Sequence, residues 1–360
     1  MKILAVNPGA DISISDVAVG LADAFERQGV ELVRYNLSGR LERACSWLAH
    51  CYRKARNEGT DLPRPNDADI KYVASVGVIE RALRHQPDWV FIVAAMYLHP
   101  DAVIMLRRAG LKVAVLFTES PYDDEQQLRL APYVDACWVN ERSSVAKFRE
   151  VNPNSHYYQH AIDPEKHLQA AREFDVAGHD VVFVGTGFQE RIDLLGAVDW
   201  TGIDLGLYGT WTLMGTRNRL RQYLRGGAIV NERTAALYRA AKIGLNLHRT
   251  SKGFGRHQEQ VEGAESLNPR CYELAATGTF FVSDWRPELE TVFGVAVPTF
   301  QTAAELEEVV RYYLEHEDER RAIAARLPAL VAGHTFDVRA REILRILEAH
   351  DELDRDTRPV

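Results

Sequence analysis

The first residues with a recognisable chemical purpose are Arg270 and Glu273, which lie three positions apart in a short predicted helix. Asn268 is suited to cap that helix, Pro269 to open it and Gly278 to follow its end. An arginine beside a helix N-terminus attracts anions, and a carboxylate on the same face accepts hydrogen bonds from two sugar hydroxyls. An anion beside a diol is the pattern of a nucleotide, with a diphosphate and a ribose. A solvated ion pair worth about 0.2–0.5 kcal/mol is the plainer alternative.

A second candidate site is Gly185-Thr-Gly187-Phe-Gln-Glu190-Arg191, which follows a predicted strand and opens a predicted helix. Glycines there let backbone N–H groups wrap a phosphate, and Arg191 can reach the same group. A dinucleotide-binding loop has a third glycine where this chain has Glu190, so NAD and FAD are disfavoured. The absence of a GxxxxGK[ST] motif disfavours ATPases and kinases. A tight turn whose glycines serve geometry alone is the alternative.

Polar residues also follow two other predicted strands. His248 and Arg249 end one strand of the second half and lead into the glycine- and charge-rich loop Lys252–Gly263. Glu119 ends a central strand of the first half, where a carboxylate can act as a base or bind an acceptor. A buried structural histidine and a solvated or helix-capping glutamate are the corresponding alternatives.

The sequence predicts no metal site. The histidines within Tyr157–His179 lack the spacing of metal ligands. Asp67 and Asp69 form a DxD pair, but no predicted strand precedes it, so we do not assign it to a metal. The cysteines form no CxxC motif, and we expect reduced thiols at Cys45, Cys51, Cys137 and Cys271.

Short apolar strands alternate with amphipathic helices along the chain, which is typical of parallel sheets with helices on both faces. The predicted strands of the first half are Lys2–Asn7, Val30–Tyr35, Trp89–Val93, Val113–Thr118, Ala136–Val139 and Tyr157–Gln159. Those of the second half are Asp180–Val184, Ile203–Tyr208, Ile243–Leu247, Phe280–Val282 and Val295–Thr299. The predicted helices include Asp16–Gln28, Leu41–Asn57, Ile70–His85, Ser143–Glu150, Thr234–Ala241, Ala303–Glu315 and Phe336–His350.

These elements predict an α/β protein with two doubly wound domains that face each other across a cleft. We expect the first domain at residues 1–164, a polar linker at 165–179, the second domain at 180–335 and a closing segment at 336–360. With 360 residues, 46% of them hydrophobic, the chain can form two cores. Such folds bind ligands at the carboxyl ends of their strands.

The composition of the chain limits where the protein can be located and which partners it can bind. A formal net charge of −8 provides no general attraction to nucleic acid or to an anionic membrane, although a local basic groove stays open. The longest apolar runs, such as Trp89–Met96, are too short to span a bilayer. The N-terminus enters a strand directly, with no export signal. We therefore predict a cytoplasmic protein without a membrane span.

The order and spacing of these segments resemble the GT-B glycosyltransferases of the group 1-like type, and most closely the spore-maturation CgeB-type group. The likeness covers nearly the whole chain. It rests on Thr118–Tyr122, Asp180–Gly187, Leu245–Arg249 and Asn268–Gly278, together with His160–Asp163 and His334–Arg339. It implies two Rossmann-like domains, acceptor first and donor second, and a C-terminal helix that crosses back to the first domain.

The resemblance also implies a function: transfer of a sugar from a nucleoside-diphosphate sugar, with a UDP-sugar favoured, and no metal or other cofactor. Glu273 would hold the ribose, while Arg270, Arg191, Gly185 and Gly187 would face the diphosphate. The remaining residues implied to bind the donor are Asn231 near the base, Arg249, Asn268 and Glu265. Glu265 and Glu273 have seven residues between them, like two glutamates of retaining relatives, so retention is favoured.

Glu119, His248 and Arg270 are the predicted catalytic residues. Arg270 would stabilise the leaving diphosphate, and Glu119 would be the base of an inverting enzyme. The acceptor stays open among a protein, a glycan, a small molecule and a modified nucleobase. A nucleotide-sugar epimerase of the same fold and a non-catalytic nucleotide-sugar-binding protein are the alternatives.

Overall fold

The computed structural model describes residues 1–9, 12–168, 174–255 and 258–357. Parts of three predicted segments therefore lie outside the described residues: 169–173 of the linker, 256–257 of the loop after Arg249, and 358–360 of the tail. The chain divides into two compact units, one formed by Met1–Tyr158 with Arg339–Val360 and one by Gln159–Val338.

The first unit contains a six-stranded parallel sheet of order β2-β1-β3-β4-β5-β6. Its strands are β1 Lys2–Asn7, β2 Glu31–Asn36, β3 Trp89–Val93, β4 Lys112–Phe117, β5 Ala136–Val139 and β6 Ser155–Tyr157. Its helices are α1 Ile12–Arg27, α2 Arg40–Asn57, α3 Asp67–His85, α4 Pro100–Arg108, α5 Asp124–Leu130 and α6 Val145–Val151. All five residues of β3 are buried, as expected for a central strand covered on both faces.

The DxD pair of the first unit lies at the start of α3. Asn66 caps this helix: its side chain accepts a hydrogen bond from the Asp69 backbone, and the Asp69 carboxylate accepts one from the Asn66 backbone at 2.8 Å. Asp67 lies in the same first turn, where it pairs with Lys71 at 2.7 Å. Both acids are therefore used to start the helix.

The second unit contains another six-stranded parallel sheet, of order β12-β11-β10-β7-β8-β9. Its strands are β7 Val181–Val184, β8 Leu205–Tyr208, β9 Leu224–Gly226, β10 Ile243–Asn246, β11 Phe281–Asp284 and β12 Thr299–Phe300. Its helices are α7 Pro164–His167, α8 Gln189–Ala197, α9 Asn231–Ala240, α10 Pro269–Ala276, α11 Pro287–Phe293, α12 Ala303–Glu315 and α13 Glu317–Val331. α7 lies within the segment predicted as a linker.

The chain order of the second sheet creates a switch point. The chain runs outward from β7 through β8 to β9, and then returns to β10 on the other side of β7. Residues of β7 alternate between two cores, with Val181 and Phe183 in one and Val182 in the other. In doubly wound sheets, the crevice at the carboxyl ends of two such strands is where ligands bind.

The last helix, α14 Phe336–Thr357, belongs to the first unit from Arg339 onward. Its Asp351 accepts hydrogen bonds from the Trp89 indole at 3.1 Å and from Lys112 at 2.7 Å. The predicted closing helix is thereby confirmed, as are the α/β class and the two doubly wound sheets. None of the described helices has the length and apolar character that a bilayer crossing needs.

Some element bounds differ from the prediction. Strand β9 was not predicted, since its three residues carry no apolar pattern. The last predicted strand was Val295–Thr299. The observed strand, β12, contains only Thr299 and Phe300, because only these two residues pair with β11. Helix α1 begins four residues before the predicted start, at Ile12.

Candidate functional site at the carboxyl ends of β7 and β10

Arg270 lies across the carboxyl ends of the two switch-point strands. Its Nε donates to the Val184 carbonyl at 2.8 Å, and its Nη1 donates to the Leu247 carbonyl at 3.3 Å. The guanidinium lies over the Phe183 ring, with Cζ 4.7 Å from the ring centroid. In the part of the chain that the structure describes, Arg270 forms no ion pair. The site therefore holds a half-buried positive charge that protein carboxylates do not neutralise.

Arg191 converges on the same point from α8. It is 6% exposed, and its Nη2 donates to the Leu247 carbonyl at 2.6 Å while Nη1 donates to the Thr186 carbonyl at 2.8 Å. Its Cζ lies 5.4 Å from the Phe183 centroid. The structure thus brings together the two arginines that the sequence placed at a diphosphate.

A second aromatic ring extends this arrangement to Arg249. Phe188, the residue before α8, has the Cζ atoms of Arg191 and Arg249 at 5.0 and 4.9 Å from its ring centroid. Arg249 also donates to the carbonyls of Ser251 and Gly253 at 2.7 and 2.9 Å. Its guanidinium therefore organises its own loop in addition to lying near the site.

The two glycines of the turn after β7 are needed for close approach. A Cβ on Gly185 would lie 2.4 Å from the Arg270 guanidinium, and one on Gly187 would lie 2.3 Å from the Trp211 ring. Their N–H groups donate to the carbonyls of Tyr208 and Thr210 at 3.0 and 2.8 Å. Both amides are therefore engaged within the chain, and the glycines make room for side chains; that this turn faces a diphosphate stays a prediction.

Glu190 and Arg286 hold the loop that follows β10 in place, and neither role is predicted from the sequence. Glu190 accepts from the Thr250 N–H at 3.1 Å and from the Ser251 hydroxyl at 3.0 Å. Arg286, 8% exposed, donates to the Arg249 carbonyl at 3.0 Å and to the Ala264 carbonyl at 2.7 Å. Glu190 was noted only as a missing glycine; its distant partners were not readable from local spacing.

Helix α10 starts as predicted. Asn268 is its N-cap and accepts from the Cys271 N–H at 3.2 Å, Pro269 is its first residue, and Gly278 follows its end with φ +68°. The Asn268 Nδ2 atom is buried and has no hydrogen-bond partner among the described residues. Glu273 is half-buried, and its carboxylate makes no hydrogen bond or ion pair with the described chain. One donor and one acceptor of this segment thus have no partner within the described chain.

Glu265 lies in the segment leading to α10, which a buried glutamate holds in place. Glu288, 2% exposed, accepts from the Leu267 N–H at 2.7 Å and from Gln159 at 3.0 Å, and its own N–H donates to the Glu265 carbonyl at 3.1 Å. Glu288 was another residue without a sequence signal, because its partners lie far away along the chain. A contact between Glu265 and a sugar stays a prediction.

His248 is buried and pairs with the half-buried Asp284, at the carboxyl ends of β10 and β11. The Asp284 Oδ1 atom lies 2.8 Å from His248 Nδ1 and accepts from the His248 N–H at 3.0 Å. Burial raises the pKa of Asp284, but the charge and hydrogen bonds of His248 oppose this, and the net result is a pKa below the ordinary aspartate value. His248 is 5% exposed and is oriented by this carboxylate.

Asn231 and Glu119 are two further residues predicted for the site. Asn231 is the first residue of α9 and is half-buried. Glu119 belongs to the first unit, at the carboxyl end of β4, where its N–H lies 3.4 Å from the Gln127 side-chain oxygen. The roles predicted for both stay predictions.

Two kinds of known protein are similar to this chain: a sequence family over part of its length, and solved structures over nearly all of it. Residues 187–345 match a family model described as "Glycosyl transferase-like". A comparison with curated protein sequences gave no match.

Solved structures match over nearly the whole chain. Sucrose-phosphate synthase from Thermosynechococcus elongatus has a TM-score of 0.64 at 12% identity, covering 97% of this chain and 99% of that chain. HepE from Anabaena, in complex with UDP-glucose, has a TM-score of 0.60 at 14% identity, covering 99% and 100%. A UDP-N-acetylglucosamine 2-epimerase from Listeria monocytogenes has a TM-score of 0.59 at 11% identity, covering 98% and 96%. The chain therefore has the GT-B glycosyltransferase fold, and its residues 187–345 are similar to a glycosyl transferase-like family.

Proposed function

We propose that the protein is a glycosyltransferase whose nucleoside-diphosphate sugar lies at the carboxyl ends of β7 and β10. The observation that carries this proposal is that Arg191 and Arg270 donate to the same carbonyl, that of Leu247, beside the start of α10. On motif order we place it in the CgeB-type group. The glycosyl transferase-like match over residues 187–345 supports the broader assignment.

Each part of the donor has a partner of suitable chemistry. The diphosphate binds the guanidinium of Arg270, whose charge no carboxylate of the described chain neutralises. The Asn268 Nδ2 atom, which has no partner in the described chain, is a further donor. The two ribose hydroxyls donate hydrogen bonds to the carboxylate of Glu273. Arg191 is almost fully buried and fixes the Leu247 carbonyl and the turn after β7. We propose a uridine donor, since the fold-related HepE was solved with UDP-glucose.

The reaction breaks the bond between the anomeric carbon and the phosphate oxygen, and the electron pair leaves with the diphosphate. The acceptor oxygen forms the new bond and loses its proton. Arg270 stabilises the growing negative charge, so the proposed mechanism requires no metal ion; one such group contributes about 2.7–4 kcal/mol to a transition state. We propose retention, in which a phosphate oxygen of the leaving group takes the proton. Glu119 as the base of an inverting reaction is the alternative.

The test is a thermal-shift measurement with UDP, GDP, ADP, dTDP and their sugars, each with and without EDTA. We expect a higher Tm with one nucleotide series, and no change on adding EDTA. The stabilising donor, labelled in its sugar, is then incubated with candidate acceptors. No stabilisation by any nucleotide would contradict the donor site, whereas stabilisation without transfer to any acceptor would favour the non-catalytic alternative.

A nucleotide-sugar epimerase is the second candidate, because one of the fold-related structures is described as a UDP-N-acetylglucosamine 2-epimerase. The two activities differ in what they do to the donor alone. An epimerase changes the sugar configuration without an acceptor, whereas a transferase releases the nucleotide when an acceptor takes the sugar. NMR of the donor incubated with the protein alone distinguishes them: a new sugar isomer still attached to the nucleotide would favour the epimerase.

A further inference from the structure

Helix α2 of the first unit carries a stripe of basic side chains around one tryptophan. Arg40, Arg43, Trp47, His50 and Lys54 follow the spacing i, i+3, i+7, i+10 and i+14, which places them on one face of a helix. All five are exposed, and Trp47 is 59% exposed. We call these five residues the Trp47 stripe.

The charge of α2 is opposite to that of the protein. The helix carries five basic residues and one acidic residue, a formal charge of +4, whereas the whole chain has −8. Among the described residues its four arginines form no ion pair, and Lys54 approaches only Glu58, at 3.9 Å. Arg40 lies over the Tyr35 ring at 4.2 Å, which leaves its charge unneutralised. Although Arg40 also donates to the Asn36 carbonyl at 2.9 Å, no carboxylate of the described chain neutralises the four arginines of this helix.

Exposed apolar side chains lie on α3, the helix that packs against α2. Ala44 is the one residue of α2 that is buried, although the helix is 18 residues long. The neighbouring α3, which packs against α2, exposes Tyr72, Val76 and Leu83 at 53%, 50% and 48%, at the one-face spacing i, i+4 and i+11. Exposed apolar groups and exposed basic groups on neighbouring helices are the combination that interfacial helices use.

We propose that α2 binds an anionic lipid surface, with Trp47 in the headgroup region and the basic residues of the stripe against lipid phosphates. A tryptophan flanked by basic residues suits the boundary between apolar chains and charged headgroups. Nucleic acid shares the phosphate chemistry, but the apolar residues exposed on α3 would contribute nothing to contacts with a phosphate backbone. The protein would lie on the membrane without spanning it, and the proposal does not depend on the sugar-transfer reaction.

The test is co-sedimentation of the full chain with phosphatidylcholine vesicles, with and without phosphatidylglycerol. We expect binding to the anionic vesicles only, and weakening as salt rises, because the attraction falls off within a Debye length. The double variant Arg43→Glu, Lys54→Glu should bind roughly tenfold or more weakly. Trp47→Ala should weaken binding severalfold without changing the salt dependence, since it removes apolar contact alone.

The double variant Arg53→Glu, Arg56→Glu is the matched control. It makes the same change of charge on the same helix but on another face, so it should retain most of the binding. An equal loss of vesicle binding in both double variants would show that only the net charge of the helix matters, and the Trp47 stripe would not be the binding face. Absence of binding to anionic vesicles, or tighter binding to duplex DNA at the same salt, would overturn the lipid proposal. Unchanged Tm values in all variants would show that the fold is intact, as expected for exposed positions.

Discussion

Arg191 and Arg270 donate hydrogen bonds to one carbonyl oxygen, that of Leu247, at 2.6 and 3.3 Å. They come from α8 and α10, helices separated by more than seventy residues of sequence. Both also lie against the ring of Phe183, at 5.4 and 4.7 Å from its centroid. Two like charges are thus held side by side by a backbone dipole and an aromatic face. A bound anion would relieve their repulsion, which is why we assign a diphosphate to this position.

Arg270→Ala should lower kcat/KM about a hundredfold or more, because it removes a charge placed where the leaving group becomes negative. Arg270→Lys should recover only part of this, since an ammonium group cannot reach two carbonyls and a phosphate with the geometry of a guanidinium. The measurement is steady-state transfer with the donor identified by thermal shift. The control is Arg311→Ala on α12, whose side chain pairs with Glu307 on the helix surface; equal losses in both variants would remove the catalytic role.

Glu273→Gln should weaken nucleotide binding while leaving the Tm of the ligand-free protein nearly unchanged, because its carboxylate has no partner in the described chain. The loss should be equal for the nucleoside and for the diphosphate form, since it concerns the ribose. Isothermal titration with both ligands measures this. Glu290→Gln, on the exposed face of α11, is the matched control and should bind normally. Unchanged affinity of Glu273→Gln would show that the ribose lies elsewhere.

Gly187→Ala should destabilise the second unit by about 1–3 kcal/mol, because the new methyl group would lie 2.3 Å from the Trp211 ring. Gly227→Ala is the matched control, since a Cβ there meets no atom within 4 Å. Urea unfolding of both variants measures the difference. Equal free energies of unfolding would mean that Trp211 moves aside at little cost.

Asp284→Asn should reduce stability at neutral pH, and the difference from the wild type should shrink on acidification. The pKa of Asp284 is lowered: burial raises it, but His248 lowers it by more. A carboxyl with a lowered folded-state pKa stabilises the fold above its unfolded pKa, about 3.9, and loses that contribution as the pH falls through the folded value. Urea unfolding above and below that pH measures the difference. A difference that stays constant with pH would contradict the assigned role of His248.

The fold class and the ends of α10 could be predicted from residue types and their spacing alone. Apolar strands such as β3 are buried on both faces. A continuous apolar strand therefore indicates a parallel sheet with helices on both sides. The cap at Asn268 and the left-handed Gly278 act on their own helix, so their residue types were enough to place its ends.

The assembly of the site depends instead on contacts between residues that are distant in sequence. The sequence predicts a phosphate-binding turn at the glycines 185 and 187, but it does not show that Arg270 and Trp211, from later in the chain, leave no room for a side chain there. Glu190 and Asp284 acquired their roles from partners 36 to 61 residues away. Such contacts depend on which strand ends lie side by side in the sheet. Local sequence patterns show the periodicity of each helix and strand. They do not show the order of the strands in the sheet, and that order determines which side chains are neighbours.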